Sequence, residues 1–160
     1  MKNFLRFLFA LLAFSVTAAV SARAQLATKP ALTLELARKI AAKAEAEAAK
    51  LKLTVAIAIV DDGGNLVYLA KMDGTQIGSI DVAQGKAKTA LRFKRPTKAF
   101  EDALVGGRQA ILSLPEVLPI EGGVPLVVNG TYIGAIGISG AQSKEDGVVA
   151  EAALTVLAQP

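Results

Sequence analysis

Two β-hairpin signals set between helical patterns predict an α/β (α+β) fold, an antiparallel sheet covered by helices. In the first signal, residues 53–60 are apolar or small on both alternating faces; the turn Asp61-Asp62-Gly63-Gly64-Asn65 follows, and residues 66–72 return. The second is the run 125–128, then Asn129-Gly130, then 131–138, a type I′ hairpin signature. The order helix, hairpin, helices, hairpin, helix places antiparallel strands at the centre and leaves the helices to cover them.

Each element has a local reason. Residues 32–51 carry Leu36, Ile40, Ala44, Ala48 and Leu51 at three- and four-residue steps, one apolar helical stripe. Glu35–Lys39 and Lys43–Glu47 are opposite-charge pairs one turn apart on its wet side. In residues 61–65, Gly supplies positive φ, and Asp and Asn bond their own backbone. Ser79 is placed to cap a helix running to about Phe93. Arg95-Pro96-Thr97 breaks it, because the residue before Pro is driven out of helical conformation. A short helix over 98–105 follows and ends at Gly106-Gly107. Residues 108–120 read as irregular, with a short strand near 117–120. Ser143 with Asp146 resembles a capping box, opening a last helix striped by Val149, Ala152, Ala153, Val156 and Leu157.

Lys2 and Arg6 precede an uncharged stretch, residues 7–20, and then Ala22-Arg23-Ala24. That is the pattern of a signal peptide, residues 1–24, cut before Gln25. The stretch is shorter than the roughly 20 residues a bilayer span needs. The expected product is one domain, residues 25–160, periplasmic or secreted and free of the membrane after cleavage. Removing the leader removes three of the 18 Lys+Arg and none of the 14 Asp+Glu. The mature chain is thus nearly neutral, and with sparse aromatics it is not expected to bind nucleic acid. The sequence has no Cys and no His. Thiol nucleophiles, disulfides, His-based triads and zinc sites built of His and Cys are excluded. Haem would lack its usual His or Cys ligand.

Lys86 is the first candidate residue. On a helical wheel, Val82, Phe93, Ala90, Ala83, Ala87 and Ile80 share an arc, and Lys86 falls inside it; Asp81, Lys88 and Arg92 lie opposite. A Lys on an apolar face needs a counter-charge or an exit to water. It meets an anionic ligand in a pocket, snorkels to water, or pairs with an internal carboxylate. Arg95 is the second: a guanidinium can grip a carboxylate through two parallel bonds, Pro96 sets its direction, and Thr97 adds a hydroxyl or caps the next helix. Gly122 and Gly123 are a candidate pocket wall. Ser139-Gly140 could offer amide groups to an anion. Met72, Tyr68 and Tyr132 are the soft or aromatic side chains able to reach an iron, and otherwise belong to core or sheet surface. Asp61, Asp62 and Asp73 sit at turns.

Three segments together resemble the GlcG/HbpS family, which also includes the C-terminal domain of PduO. They are residues 60–66; residues 72–97, with Met72-Asp73-Gly74, Ser79-Ile80-Asp81-Val82-Ala83, Lys86-Ala87-Lys88-Thr89-Ala90 and Arg95-Pro96-Thr97; and Gly122-Gly123-Val124-Pro125, Asn129-Gly130, residues 134–140 and Asp146. The resemblance covers residues 32–157. It implies a profilin-like domain with a mostly antiparallel five-stranded sheet that assembles into homo-oligomers. It also implies a haem or corrinoid ligand, although this sequence departs from any member that holds a tetrapyrrole metal through His. Three readings follow. One is a binding protein for a small anionic or tetrapyrrole-like molecule, with Lys86 and Arg95 on its carboxylates and a pocket between the sheet and the 79–93 helix or at a subunit interface. Another is an enzyme on a small organic acid using Lys86. The third is an assembly module without a ligand.

Overall fold

The computed structural model describes residues 28–158; the leader and its cleavage site lie outside the described residues. Helix α1 spans Leu34–Lys50, capped by Thr33, whose Oγ1 accepts the Leu36 amide at 3.2 Å. Its buried stripe is Ala37, Ile40, Ala41, Ala44 and Ala48. Leu51, expected in that stripe, lies past the helix end and is exposed. The Glu35–Lys39 pair forms at 2.8 Å, whereas Glu47 turns to Lys50 at 3.0 Å.

Strand β1, Ala56–Asp61, and strand β2, Leu66–Lys71, form the first hairpin. Its turn is held by Asp61, whose Oδ1 accepts the amides of Gly63 at 2.9 Å and Asn65 at 2.8 Å. Strand β3, Gly123–Val128, and strand β4, Thr131–Ser139, form the second. Asn129 and Gly130 both take positive φ (48° and 76°), as a type I′ turn requires. The hairpins join through β1 and β4, giving the antiparallel order β2-β1-β4-β3. The sheet therefore has four strands among the described residues, not five. Residues 117–120 do not pair as a strand. The Leu118 amide donates to Thr89 Oγ1 at 2.9 Å, and the Ile120 amide bonds the nearby Leu118 carbonyl.

Helix α2, Ser79–Phe93, is the sole long helix on one face of the sheet among the described residues. Ser79 does not cap it: Gly78 holds the cap position, and the buried Ser79 hydroxyl has no partner. The helix ends at Lys94, which turns left-handed (φ 52°) ahead of Arg95-Pro96. Helix α3 spans Lys98–Val105 and ends at Gly106. A 3₁₀ turn, Gln109–Ser113, follows. Helix α4, Ser143–Ala153, runs into a second 3₁₀ turn, Leu154–Ala158. Its cap lies one residue earlier than expected. The Gln142 amide donates to the Glu145 carboxylate at 3.1 Å, while Ser143 Oγ donates to Glu101 at 2.9 Å. That shift of one residue frees Asp146 to turn inward.

The two sheet faces differ in kind. Ile57, Ile59, Leu126, Ile136 and Ile138 pack against α1 and α4. On the other face, Ala56, Ala58, Val60 and Ala135 meet Ala83, Ala87 and Ala90 of α2. Gly137 lets α2 lie directly on the strand: a Cβ there would collide with the Ala83 carbonyl oxygen. These contacts close the region where a pocket between the sheet and α2 was expected.

Candidate functional site

Open space lies instead at the surface, part of it along the outer edge of β3. A groove of about 480 Å³ is lined by Pro96, Val124, Pro125, Val127, Leu154 and Leu157, with Glu151 on its rim. A smaller pocket of about 170 Å³ adjoins it, sharing Pro96, Val124 and Glu151. This second pocket adds Gly122, Gly123, Gly147, Lys98 and Glu121. Together they form an apolar trough that narrows to a polar, glycine-walled end.

The glycine wall is fixed from two sides. The Gly123 amide donates to Thr97 Oγ1 at 2.9 Å, and the Thr97 amide donates to the Gly123 carbonyl at 2.9 Å. Thr97 is fully buried, so its hydroxyl neither caps α3 nor faces the groove. Behind the wall, the Gly122 carbonyl accepts the Ile138 amide at 2.8 Å. The Ile138 carbonyl in turn accepts Lys86 Nζ at 2.9 Å.

Lys86 is 1% exposed, and its ammonium lies 2.7 Å from the carboxylate of Asp146, itself 2% exposed. Asp146 uses its other oxygen to accept the Ala141 amide at 3.1 Å. The helical wheel located Lys86 on the interior face, and of the two partners then open to it the structure supplies the internal carboxylate. A Cβ at Gly122 (φ 124°) would lie 2.8 Å from Lys86 Nζ, so no L side chain fits between the pair and the groove. Burial pushes the Asp146 carboxyl above its ordinary value, against the pull of Lys86 and the Ala141 amide. The pair joins α2, β4 and α4 behind the groove.

Asp146 was not singled out as Lys86's partner in the sequence. The signal was present: Asp146, Val149, Ala150 and Ala153 recur at helical spacing and are all buried in α4. An acid on a buried stripe pairs with a base on another buried stripe.

Arg95 is exposed; its Nε donates to the Phe93 carbonyl at 3.2 Å, and its guanidinium lies 5.5 Å from the Phe100 ring centre. Its neighbour Pro96 lines the groove. At the polar end, Lys98 is 2.7 Å from Asp102 and 3.8 Å from Glu121. Hydrogen bonding to Asp102 holds the Lys98 amine above the usual lysine range. Ser139-Gly140 sits beside the buried pair, where the next amide, of Ala141, already serves Asp146. Asp61 keeps to its turn, and the described residues contain no acidic cluster able to hold a metal.

None of Tyr132, Tyr68 and Met72 lines the groove, although Tyr132 pairs across the sheet with Val127. Tyr132 donates its hydroxyl to the Lys94 carbonyl at 3.2 Å and lies beneath that residue's ammonium. Tyr68 packs on the large-residue core. Met72 borders a shallow depression with Ala42, Ala46 and Ala49. The lining is apolar along β3, carries Lys98, Glu121 and Glu151 at its polar end, and includes no His, Cys, Met or Tyr.

The family model described as "Haem degrading protein HbpS-like" matches residues 32–155. The chain is similar to Protein GlcG of Escherichia coli strain K12, 41% identical over 112 residues, covering 70% of this chain and 84% of the relative. It is similar in structure to a double mutant of Streptomyces reticuli HbpS, with TM-score 0.76 and 32% identity, covering 84% of this chain and 92% of that one. A haem complex of PduOC is similar with TM-score 0.72 and 27% identity, covering 79% of this chain and 95% of that one.

Proposed function

This chain belongs to the HbpS-like family, and from that premise we propose that it is an exported binding protein for a small, flat, acidic amphiphile of the haem type. The groove along β3 carries this reading: an apolar trough, open at the surface, beside a wall of two glycines. Concave, mostly apolar surfaces with a few placed polar groups are the usual form of small-molecule sites. The haem complex of a similar protein supports the ligand class. The relatives' descriptions lend no support to a corrinoid.

In this reading the ring lies on Val124, Pro125, Val127, Leu154 and Leu157. Arg95, at the Pro96 end, meets a ligand carboxylate. Gly122 and Gly123 let the ligand approach the backbone. Thr97 and Lys86 act behind that wall, holding it. Homo-oligomers of the mature chain remain part of the proposal, since copies could complete the open side of the groove.

Titrating haemin into the mature chain, residues 25–160, tests the reading by its absorbance spectrum. Val127→Asp should weaken binding at least about tenfold, because it puts a charge under an apolar ring. Arg95→Ala should weaken it about fivefold, as for a solvent-exposed ion pair. No spectral change with the wild-type chain, or wild-type affinity in Val127→Asp, would remove the proposal. Sequencing the exported protein should return Gln25 first, and its native mass should exceed that of one chain.

A further inference from the structure

We propose that the β3 groove recognises the apolar ring of a tetrapyrrole without giving its metal an axial ligand, so that binding does not depend on the metal. The inference rests on the haem-type reading and adds which part of the ligand is recognised.

The donors able to hold a haem iron can be followed one by one. The sequence has no His and no Cys, two Met and two Tyr. One Met is Met1, in the expected leader. Met72 borders a depression on α1 and the end of β2, not the groove. Tyr68, partly buried, packs against the large-residue core and does not line the groove. The Tyr132 hydroxyl is bonded to Lys94. Within the lining itself, the Lys98 amine is kept protonated by Asp102, and an ammonium has no lone pair for a metal. Glu121 is largely covered, shares Lys98 and packs against Gly147. Glu151 on the rim is the remaining carboxylate, a hard oxygen donor outside the usual haem ligand set.

The groove fits a ring in other respects. Gly123 turns its amide and carbonyl outward to Thr97, so by strand alternation Pro125 also presents its backbone to the open edge. Proline has no N–H to leave unpaired beneath an apolar ligand. Val127 and Leu154 continue the apolar surface.

The test is a paired titration of the folded mature chain with haemin and with metal-free protoporphyrin. The expected dissociation constants agree within about threefold. Met72→Leu should leave both unchanged. Haemin binding more than about tenfold tighter than the metal-free ring would overturn the inference while leaving the haem-type reading in place. Loss of haemin binding alone in Met72→Leu would overturn it too, by placing the iron at the α1 depression. If neither porphyrin binds, the haem-type reading falls and this inference falls with it.

Discussion

The two faces of the sheet solve the same covering problem with opposite materials. Toward α1 and α4 the strands present Ile57, Ile59, Leu126, Ile136 and Ile138. Toward α2 they present Ala56, Ala58, Ala135 and Gly137, and the helix answers with Ala83, Ala87 and Ala90. Large side chains interdigitate and can shift between rotamers when one atom is removed. Small ones bring backbone onto backbone, where nothing can give. The first face stores its stability in buried apolar area; the second depends on an interlayer distance. The Lys86–Asp146 pair ties the two together, reaching from α2 past the end of β4 to α4.

Breaking that tie should have the largest effect. Lys86→Met leaves the Asp146 charge buried and unpaired, and should cost about 3–5 kcal/mol in a urea melt. A cost under about 1 kcal/mol, the range of exposed ion pairs in general, would mean that the pair does not hold the layers. Gly137→Ala comes next. Its Cβ would strike the Ala83 carbonyl and lie 2.6 Å from the Ala87 nitrogen, so α2 must lift; a loss of about 3 kcal/mol is expected. On the large-residue face, Ile136→Val removes one methylene from a fully buried side chain. It should cost about 1 kcal/mol, with native near-UV circular dichroism retained.

A smaller effect appears in the dependence of stability on pH. The Asp146 carboxyl is raised by burial above the ordinary 3.8, so the folded chain retains a proton that the unfolded chain has lost. Its contribution to stability therefore falls as pH rises from about 3.8 through the folded value. Asp61 runs the other way: burial pushes it up, but the amides of Asn65 and Gly63 and the Asn65 side chain more than offset this, so its contribution is lost as pH falls below 3.8. Asp146→Asn should remove the first slope and keep the second, read from urea melts across that range.

The smallest change expected is at Gly85, also in α2. A Cβ there would meet only the flexible end of Leu118, at 2.9 Å. The gain in helix propensity should offset that contact, leaving Gly85→Ala within about 0.5 kcal/mol of the parent. A loss comparable to that of Gly137→Ala would show that Leu118, and not backbone contact, sets the position of α2.

The elements were legible wherever a local rule governs them. The period of α1, the Asn129-Gly130 turn and the break at Arg95-Pro96 each follow from neighbours in the chain. The cap of α4 was misplaced because Gln142 and Ser143 could each have served, and Ser143 bonds Glu101 instead; at α2, Gly78 holds the cap position and the buried Ser79 hydroxyl bonds nothing. Residues 117–120 have strand-like composition, but their amides bond Leu114, Thr89 and Leu118 and no strand. At the site, the inward face of Lys86 was readable from helical period, and the buried stripe containing Asp146 was readable in the same way. That the two meet, 60 residues apart in sequence, was not.

By its own periodicities the sequence determined two hairpins, four helices and the side of α2 on which Lys86 lies, since these depend on φ/ψ preference and on spacing along one chain. Only the tertiary structure decided what that ammonium meets and where the open surface is. Both depend on distances between segments remote in sequence: glycine and alanine bring α2 onto the sheet and close that interface, while a groove is left open along the outer edge of β3.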